Sequence, residues 1–249
     1  MSRGGSGGRT RVKTARGRTP QSNRWLERQL NDPYVRKAKA EGYRSRAAYK
    51  LLELDERFAL LKGVKRVVDL GIAPGGWSQA VRRRVPGAAV VGIDLLPVDP
   101  IDGVTIIQGD FMADEAPAQL IEALGGAPDL VLSDMAANTV GHPQTDALRT
   151  MALVETAFAF ACDVLAPGGT FVAKVFAGGA DSALVAAMKS AFTTVKHAKP
   201  PPARHARNFL PGRRAGAAEP VRRRGLCPRR PLIEHHAGPA RFNAASRPH

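Results

Sequence analysis

The sequence predicts an α/β fold, a doubly wound parallel sheet of the Rossmann-like kind. Three observations carry that prediction. Short apolar runs without strict alternation recur along the chain, which suits strands covered on both faces. Segments of helical period separate them. After the first run the chain passes from Val67-Val68-Asp69-Leu70 into Gly71-Ile72-Ala73-Pro74-Gly75-Gly76, the kind of strand-to-helix turn that brings a nucleotide-like ligand to the C-terminal edge of a parallel sheet.

In chain order, residues 22–42 read as a short helical lead-in, with Trp25 and Leu26 as anchors. Ser45 then offers an N-cap for a helix of about 15 residues. Leu51, Leu54, Phe58 and Leu61 give that helix one apolar face, and Lys50 flanks the stripe. Strands are predicted over 65–70, 89–94, 104–108, 129–133 and 170–176. Helices are predicted over 76–84, 115–124, 144–165 and 181–192. The alternation of strand and helix is what makes the sheet parallel and doubly wound.

Beyond residue 198 the character changes. Residues 199–249 contain nine prolines, and only seven of their residues are Val, Ile, Leu or Phe, too few for a segment that packs. The expected organisation is a basic, disordered arm over 1–24, a folded domain over 25–198 and an Arg/Pro/Ala-rich, disordered tail over 199–249.

The formal charge of +15 is unevenly spread. Residues 1–24 hold seven basic residues and no acidic one; residues 199–249 hold twelve basic residues against Glu219 and Glu234. The segment between them is close to neutral. Cationic ends on a neutral core suit a nucleic-acid partner; a transit peptide and a solvated tail are the other readings of the N-terminal arm. No apolar run reaches the about 18 residues of a membrane span. Two cysteines, Cys162 and Cys227, form no metal-ligand spacing and no disulfide framework, so no metal is expected and a reducing cytoplasm fits.

The turn also bears on the cofactor. A dinucleotide fingerprint wants glycine at its first, third and sixth positions, and the third is Ala73. That glycine admits a pyrophosphate, which S-adenosylmethionine lacks. Asp94 ends the second strand, where a carboxylate accepts from ribose hydroxyls, for NAD as much as for a methyl donor. Asp110 follows the third strand, in reach of an adenine amino group. Ser133-Asp134 ends the fourth beside Met135 and Asn138, where the reactive end of the cofactor would lie. Each carboxylate alone reads equally well as a turn or helix cap; three at successive strand ends favour S-adenosylmethionine.

With these residues in view, SRAAYKL (45–51), VVDLGIAPGGWSQ (67–79), DLLP (94–97), QGDF (108–111), SDMAAN (133–138), DVLAPGG (163–169) and FVAKVF (171–176) resemble the FtsJ/RrmJ (RlmE) family, collinearly from about Trp25 to Pro200. That resemblance implies a ribose 2′-O-methyltransferase using S-adenosylmethionine on a uridine in the A-loop of 23S ribosomal RNA, within the large subunit. It implies catalytic roles for Lys50, Asp134 and Lys174, three members of a Lys-Asp-Lys-Glu tetrad. It implies cofactor contacts at Gly75, Trp77, Asp94, Asp110 and Asp134. A monomer is expected. Ala137 stands where bacterial members usually have Pro, which loosens the loop after Asp134. Lys174 would accept the 2′-OH proton, with Lys50 as the nearby cation that lowers its pKa, or the two protonated lysines would stabilise the developing alkoxide, and the residues leave both open.

The fourth tetrad member does not follow. After Val195-Lys196-His197-Ala198-Lys199-Pro200 the family pattern stops, and neither Glu219 nor Glu234 lies in a matching context. A reading-frame shift near residues 201–207 accounts for this. Leu210-Pro211-Gly212-Arg213 can be encoded so that a second frame reads Tyr-Leu-Val-Ala, with a Glu codon available from Arg207-Asn208. The rival is a genuine RNA-binding tail. On the frameshift reading the last antiparallel strand is missing and activity is impaired. The alternative function is therefore a catalytically impaired RNA-binding protein that keeps the cofactor fold. An NAD-type oxidoreductase is disfavoured by Ala73, Lys50 and Lys174.

Overall fold

The computed structural model describes residue 23 and residues 31–137, 141–176, 182–198 and 207–214. The arm over 1–24, apart from Asn23, and most of the segment from 199 onward lie outside the described residues, as do Trp25, Leu26 and Asn138.

The described elements are, in order, α1 (Pro33–Ala40), α2 (Ala47–Phe58), β1 (Arg66–Leu70), α3 (Gly76–Arg84), β2 (Ala89–Asp94), β3 (Val104–Gln108), α4 (Ala116–Leu124), β4 (Leu130–Ser133), α5 (Pro143–Val164), β5 (Thr170–Phe176), α6 (Ser182–Ala191), β6 (Thr194–Val195) and β7 (Arg207–Arg213). The sheet order is β3-β2-β1-β4-β5-β7-β6. Strands β1 to β5 are parallel. The connections run outward from β1 through β2 to β3, then return to β4 on the other side. This makes β1/β4 the switch point, where ligands of doubly wound sheets bind.

Helix α1 starts at Pro33 behind Asp32, whose side chain accepts the Tyr34 N–H at 2.8 Å. Ser45 accepts the Ala47 N–H at 3.2 Å, as an N-cap should. Helix α2 is shorter than the sequence predicts because Ala59 turns left-handed (φ 51°) and Asp55 then accepts the Leu61 N–H at 2.8 Å. Leu51 and Leu54 are fully buried.

Two apolar layers cover the sheet. Helices α1, α2 and α3 pack on the face that holds Val67, Val90, Leu130, Leu132 and Val172. Helices α4, α5 and α6 pack on the face that holds Val68, Val91, Val131, Phe171 and Ala173. The alternation along each strand sorts its residues between the layers.

One expectation is overturned. The last antiparallel strand is present: β7 pairs with β5 from Thr170↔Arg213 to Phe176↔Arg207, and β6 pairs with β7. It occupies the edge of β5 that the sequence left open, so the sheet extends past residue 198. Its two large apolar residues are enough to seat it. Phe209 goes into the α2/α3 layer and Leu210 into the α5/α6 layer, and both are fully buried.

Candidate active site

The turn after β1 is built by backbone requirements. Gly71 has φ +76°, and a Cβ there would stand 2.7 Å from Met135 Cγ, on the segment after β4. Gly75 has φ +101°, and its Cβ would meet Ile101 Cδ1 at 2.4 Å. At Gly71 conformation and space both oppose a side chain; at Gly75 the positive φ strains one, and the Ile101 tip would have to move aside. Gly75 is the N-cap of α3, so the first N–H groups of that helix point into the turn.

The turn is also stitched to the start of α2. Gln79 accepts the Arg44 N–H at 2.9 Å and donates to Gly42 O at 2.8 Å. The Trp77 indole N–H donates to Ala47 O at 2.8 Å. Trp77 is buried, with its ring 5.7 Å from that of Phe209. The side chain of this expected cofactor residue therefore joins α3 to α2, and what it offers the turn is its helix-start backbone N–H.

Register aligns the carboxylates. Asp94 ends β2 opposite Gln108 of β3. One of its oxygens accepts the Ala73 N–H at 2.9 Å and the other the Leu96 N–H at 2.9 Å, so Asp94 clamps the turn to the β2 end. Asp110 accepts the Met112 N–H at 2.9 Å. Leu95, Leu96 and Met112 are exposed beside these two carboxylates. An apolar ledge between strand-end carboxylates suits a flat heterocycle carrying a ribose. The sequence did not single it out, because isolated apolar residues after a strand carry no local signal of exposure.

The three residues expected to be catalytic come together from three elements. Lys50 projects from α2 and Lys174 from β5, on the same face of the sheet. Both are buried. Asp134 follows β4 at the switch point. Lys174 Nζ lies 2.9 Å from Asp134 Oδ1 and also donates to the Asp134 main-chain oxygen. Lys50 Nζ lies 3.8 Å from Asp134 Oδ2. The Ala137 N–H donates to the buried Thr150 Oγ1 at 3.2 Å. A proline could not make that bond, and it holds the loop that the sequence expected to be loosened.

Asp69 was not singled out. It is fully buried on β1 and accepts from Ser78 Oγ at 2.7 Å. Burial pushes its carboxyl up to about 7, with the negative charges of Asp134 and Asp94 adding to the rise and the Ser78 hydrogen bond opposing it.

The FtsJ-like methyltransferase family model matches residues 43–209, a span containing every part of this site. The chain belongs to that family. It is 74% identical over 204 residues to the ribosomal RNA large subunit methyltransferase E of Rhizorhabdus wittichii, covering 82% of this chain and 89% of that protein. The protein of the same name from Novosphingobium aromaticivorans is 71% identical, over 82% of this chain and 92% of its own length. Among solved structures, a ribosomal RNA methyltransferase from Plasmodium falciparum superposes with a TM-score of 0.63 at 32% identity, covering 70% of this chain and 98% of that one. The Rossmann-like methyltransferase fold expected from the sequence is thus the fold of the family.

Glu219 and Glu234 lie outside the described residues. Among the described residues, no group of His, Cys, Asp or Glu is arranged to hold a metal ion, and no helix is long and apolar enough to cross a membrane.

Proposed function

We infer that the chain transfers a methyl group from S-adenosylmethionine to a ribose 2′-OH of large-subunit ribosomal RNA, a uridine of the A-loop being the target that the resemblance implies. The observation that carries this reading is the convergence of Lys50 and Lys174 on Asp134 at the β1/β4 switch point. The names of the highly identical relatives support the RNA class.

The residues present fit the cofactor. Positive-φ glycines let the turn pass close against Met135 and Ile101, Asp94 and Asp110 sit at adjacent strand ends, and Leu95, Leu96 and Met112 offer an apolar ledge. When bound, the cofactor supplies a sulfonium methyl group, which is already a strong electrophile. Gly75, the Trp77 backbone, Asp94 and Asp110 would hold and orient it. Asp134 lies where its reactive end would reach.

What remains for the chain is to place the hydroxyl and manage charge. A 2′-OH loses its proton as it attacks. Lys174, bonded twice by Asp134, is built as a buried ammonium. That favours the electrostatic role: the two ammonium groups stabilise the developing alkoxide. The 2′-OH reaches such a site from single-stranded or loop RNA, where the ribose is not locked in a duplex. The cationic termini add phosphate attraction. We place the protein in the cytoplasm, acting as a monomer.

Isothermal titration with S-adenosylmethionine, with transfer of labelled methyl to large subunits, tests this. The expected result is cofactor binding and label in one 2′-O-methyluridine, found by nuclease digestion and mass spectrometry. Label on a base would overturn the ribose assignment. Binding without transfer would favour the catalytically impaired reading. K174A should lower kcat at least a hundredfold while the cofactor Kd changes by a few-fold at most, if the lysine acts in the transition state.

A further inference from the structure

Phe209 stands where β7, the cofactor turn and the lysine cluster meet. It pairs across the antiparallel ladder with Lys174, so both side chains leave the sheet on the α2/α3 face. Its backbone is held on the other side by Ala198, which accepts its N–H at 2.7 Å and donates to its oxygen at 2.9 Å. The ring is fully buried. It lies 5.7 Å from the Trp77 ring, and the Lys50 Nζ stands 5.8 Å from its centroid. Trp77 in turn is bonded to Ala47, about one helical turn before Lys50.

We propose that Phe209 is a positioning residue for methyl transfer, its ring face holding the Lys50 ammonium in the direction of Asp134. This rests on the reading of Lys50, Asp134 and Lys174 as the transfer site.

The physical case is one of direction. A lysine has four rotatable side-chain bonds, so the direction of its head group is set by what it packs against as well as by its 3.8 Å approach to Asp134 Oδ2. An aromatic face attracts an ammonium within about 6 Å of its centroid. Among the described residues, the charged groups near this ammonium include Asp134, from the loop after β4, and Lys174 of β5, which pairs with the same carboxylate. The ring supplies a neutral surface that Lys50 can lie against. Nothing in the sequence pointed to this role, because residues 199–249 read as a tail.

The test changes the ring's electronics without changing its shape. Phe209 is replaced by 4-fluoro-, 3,5-difluoro- and pentafluorophenylalanine, alongside F209Y and F209L. Lys50 side-chain resonances are followed in protein carrying ¹³C-lysine and assigned with K50R. In the wild type and F209Y the Lys50 Hε protons should be shifted upfield by the ring, and F209L should return them to ordinary positions. Across the fluorinated series kcat should fall in steps, by roughly three- to thirtyfold at the pentafluoro ring. The KM for S-adenosylmethionine and the melting temperature should stay level.

A flat kcat across the series, or Lys50 resonances indifferent to the ring, overturns the proposal and leaves Phe209 as core packing. Wild-type protein that transfers no methyl overturns the proposed function. That result is read separately from the ring contact, which the Lys50 resonances decide.

Discussion

Asp69 and Ser78 are joined by a 2.7 Å hydrogen bond that spans the glycine turn from the end of β1 to the first turn of α3. Both are fully buried. The bond closes the base of the loop that Gly71 and Gly75 shape above it, so turn geometry depends on a carboxyl the solvent does not reach.

The first prediction concerns pH. The Asp69 carboxyl is raised from 3.8 to about 7 in the folded chain. Between those values the folded state binds more protons than the unfolded one, so this group's contribution to stability falls as pH rises through that window. Above about 8 the cost is complete, on the order of a few kcal/mol. D69N, which cannot ionise and still accepts from Ser78, should gain in melting temperature relative to the wild type from pH 5 to pH 8. Thermal scans at pH 5, 6.5 and 8 measure this, and an equal difference at all three would refute it.

A second prediction concerns Trp77. Its indole N–H is bonded to Ala47 O, so W77F keeps the tilted ring contact with Phe209 but leaves a partly buried carbonyl without that donor. The expected cost is ~1–2 kcal/mol of stability, read by urea unfolding. Because Ala47 precedes Lys50 by three residues on the same helix, kcat should fall more than cofactor affinity. A larger loss in cofactor affinity than in kcat would mean that the indole acts on the ligand instead.

Most of this site was legible in the sequence, for identifiable reasons. The placing of Asp94, Asp110 and Asp134 at strand ends was legible because they follow apolar runs whose period is easy to read. The bounds of β2, β3, β5 and α3 were predicted to the residue, each marked by a glycine, proline or charged neighbour. Strand β7 was not legible. It has Pro211 and Gly212 in its interior, which read as a turn. What makes it a strand is the open edge of β5 and the two opposed layers waiting for Phe209 and Leu210. Those are tertiary facts with no local signature. Phe209 and the Asp69–Ser78 bond were missed for the same reason: their partners lie across the fold or across the turn.

A third prediction concerns the loop after β4. The Ala137 N–H is held by Thr150 Oγ1 from α5. T150V preserves shape and removes the acceptor inside a buried position, at an expected cost of about 1–2 kcal/mol. The loop carries Asp134, so methyl transfer should slow several-fold. Hydrogen exchange at the amides of residues 135–137 should speed up. Unchanged exchange there would show that the loop is held by other means.

The fourth prediction bears on Gly75. At φ +101°, with Ile101 Cδ1 2.4 Å from where a Cβ would sit, alanine meets both a strained backbone and a collision. The residue pressed upon is the tip of an aliphatic side chain, which yields, so the fold should survive at a cost of roughly 1–3 kcal/mol. The turn itself should not keep its shape, because the strain is relieved by rotating the peptide that begins α3. The helix-start N–H groups then no longer point into the site. G75A should therefore weaken S-adenosylmethionine binding at least tenfold by titration calorimetry. The double variant G75A/I101A removes the collision and keeps the strain. If it regains wild-type affinity, crowding by Ile101 is the cause; if it stays weak, the positive φ is what the turn requires of this position.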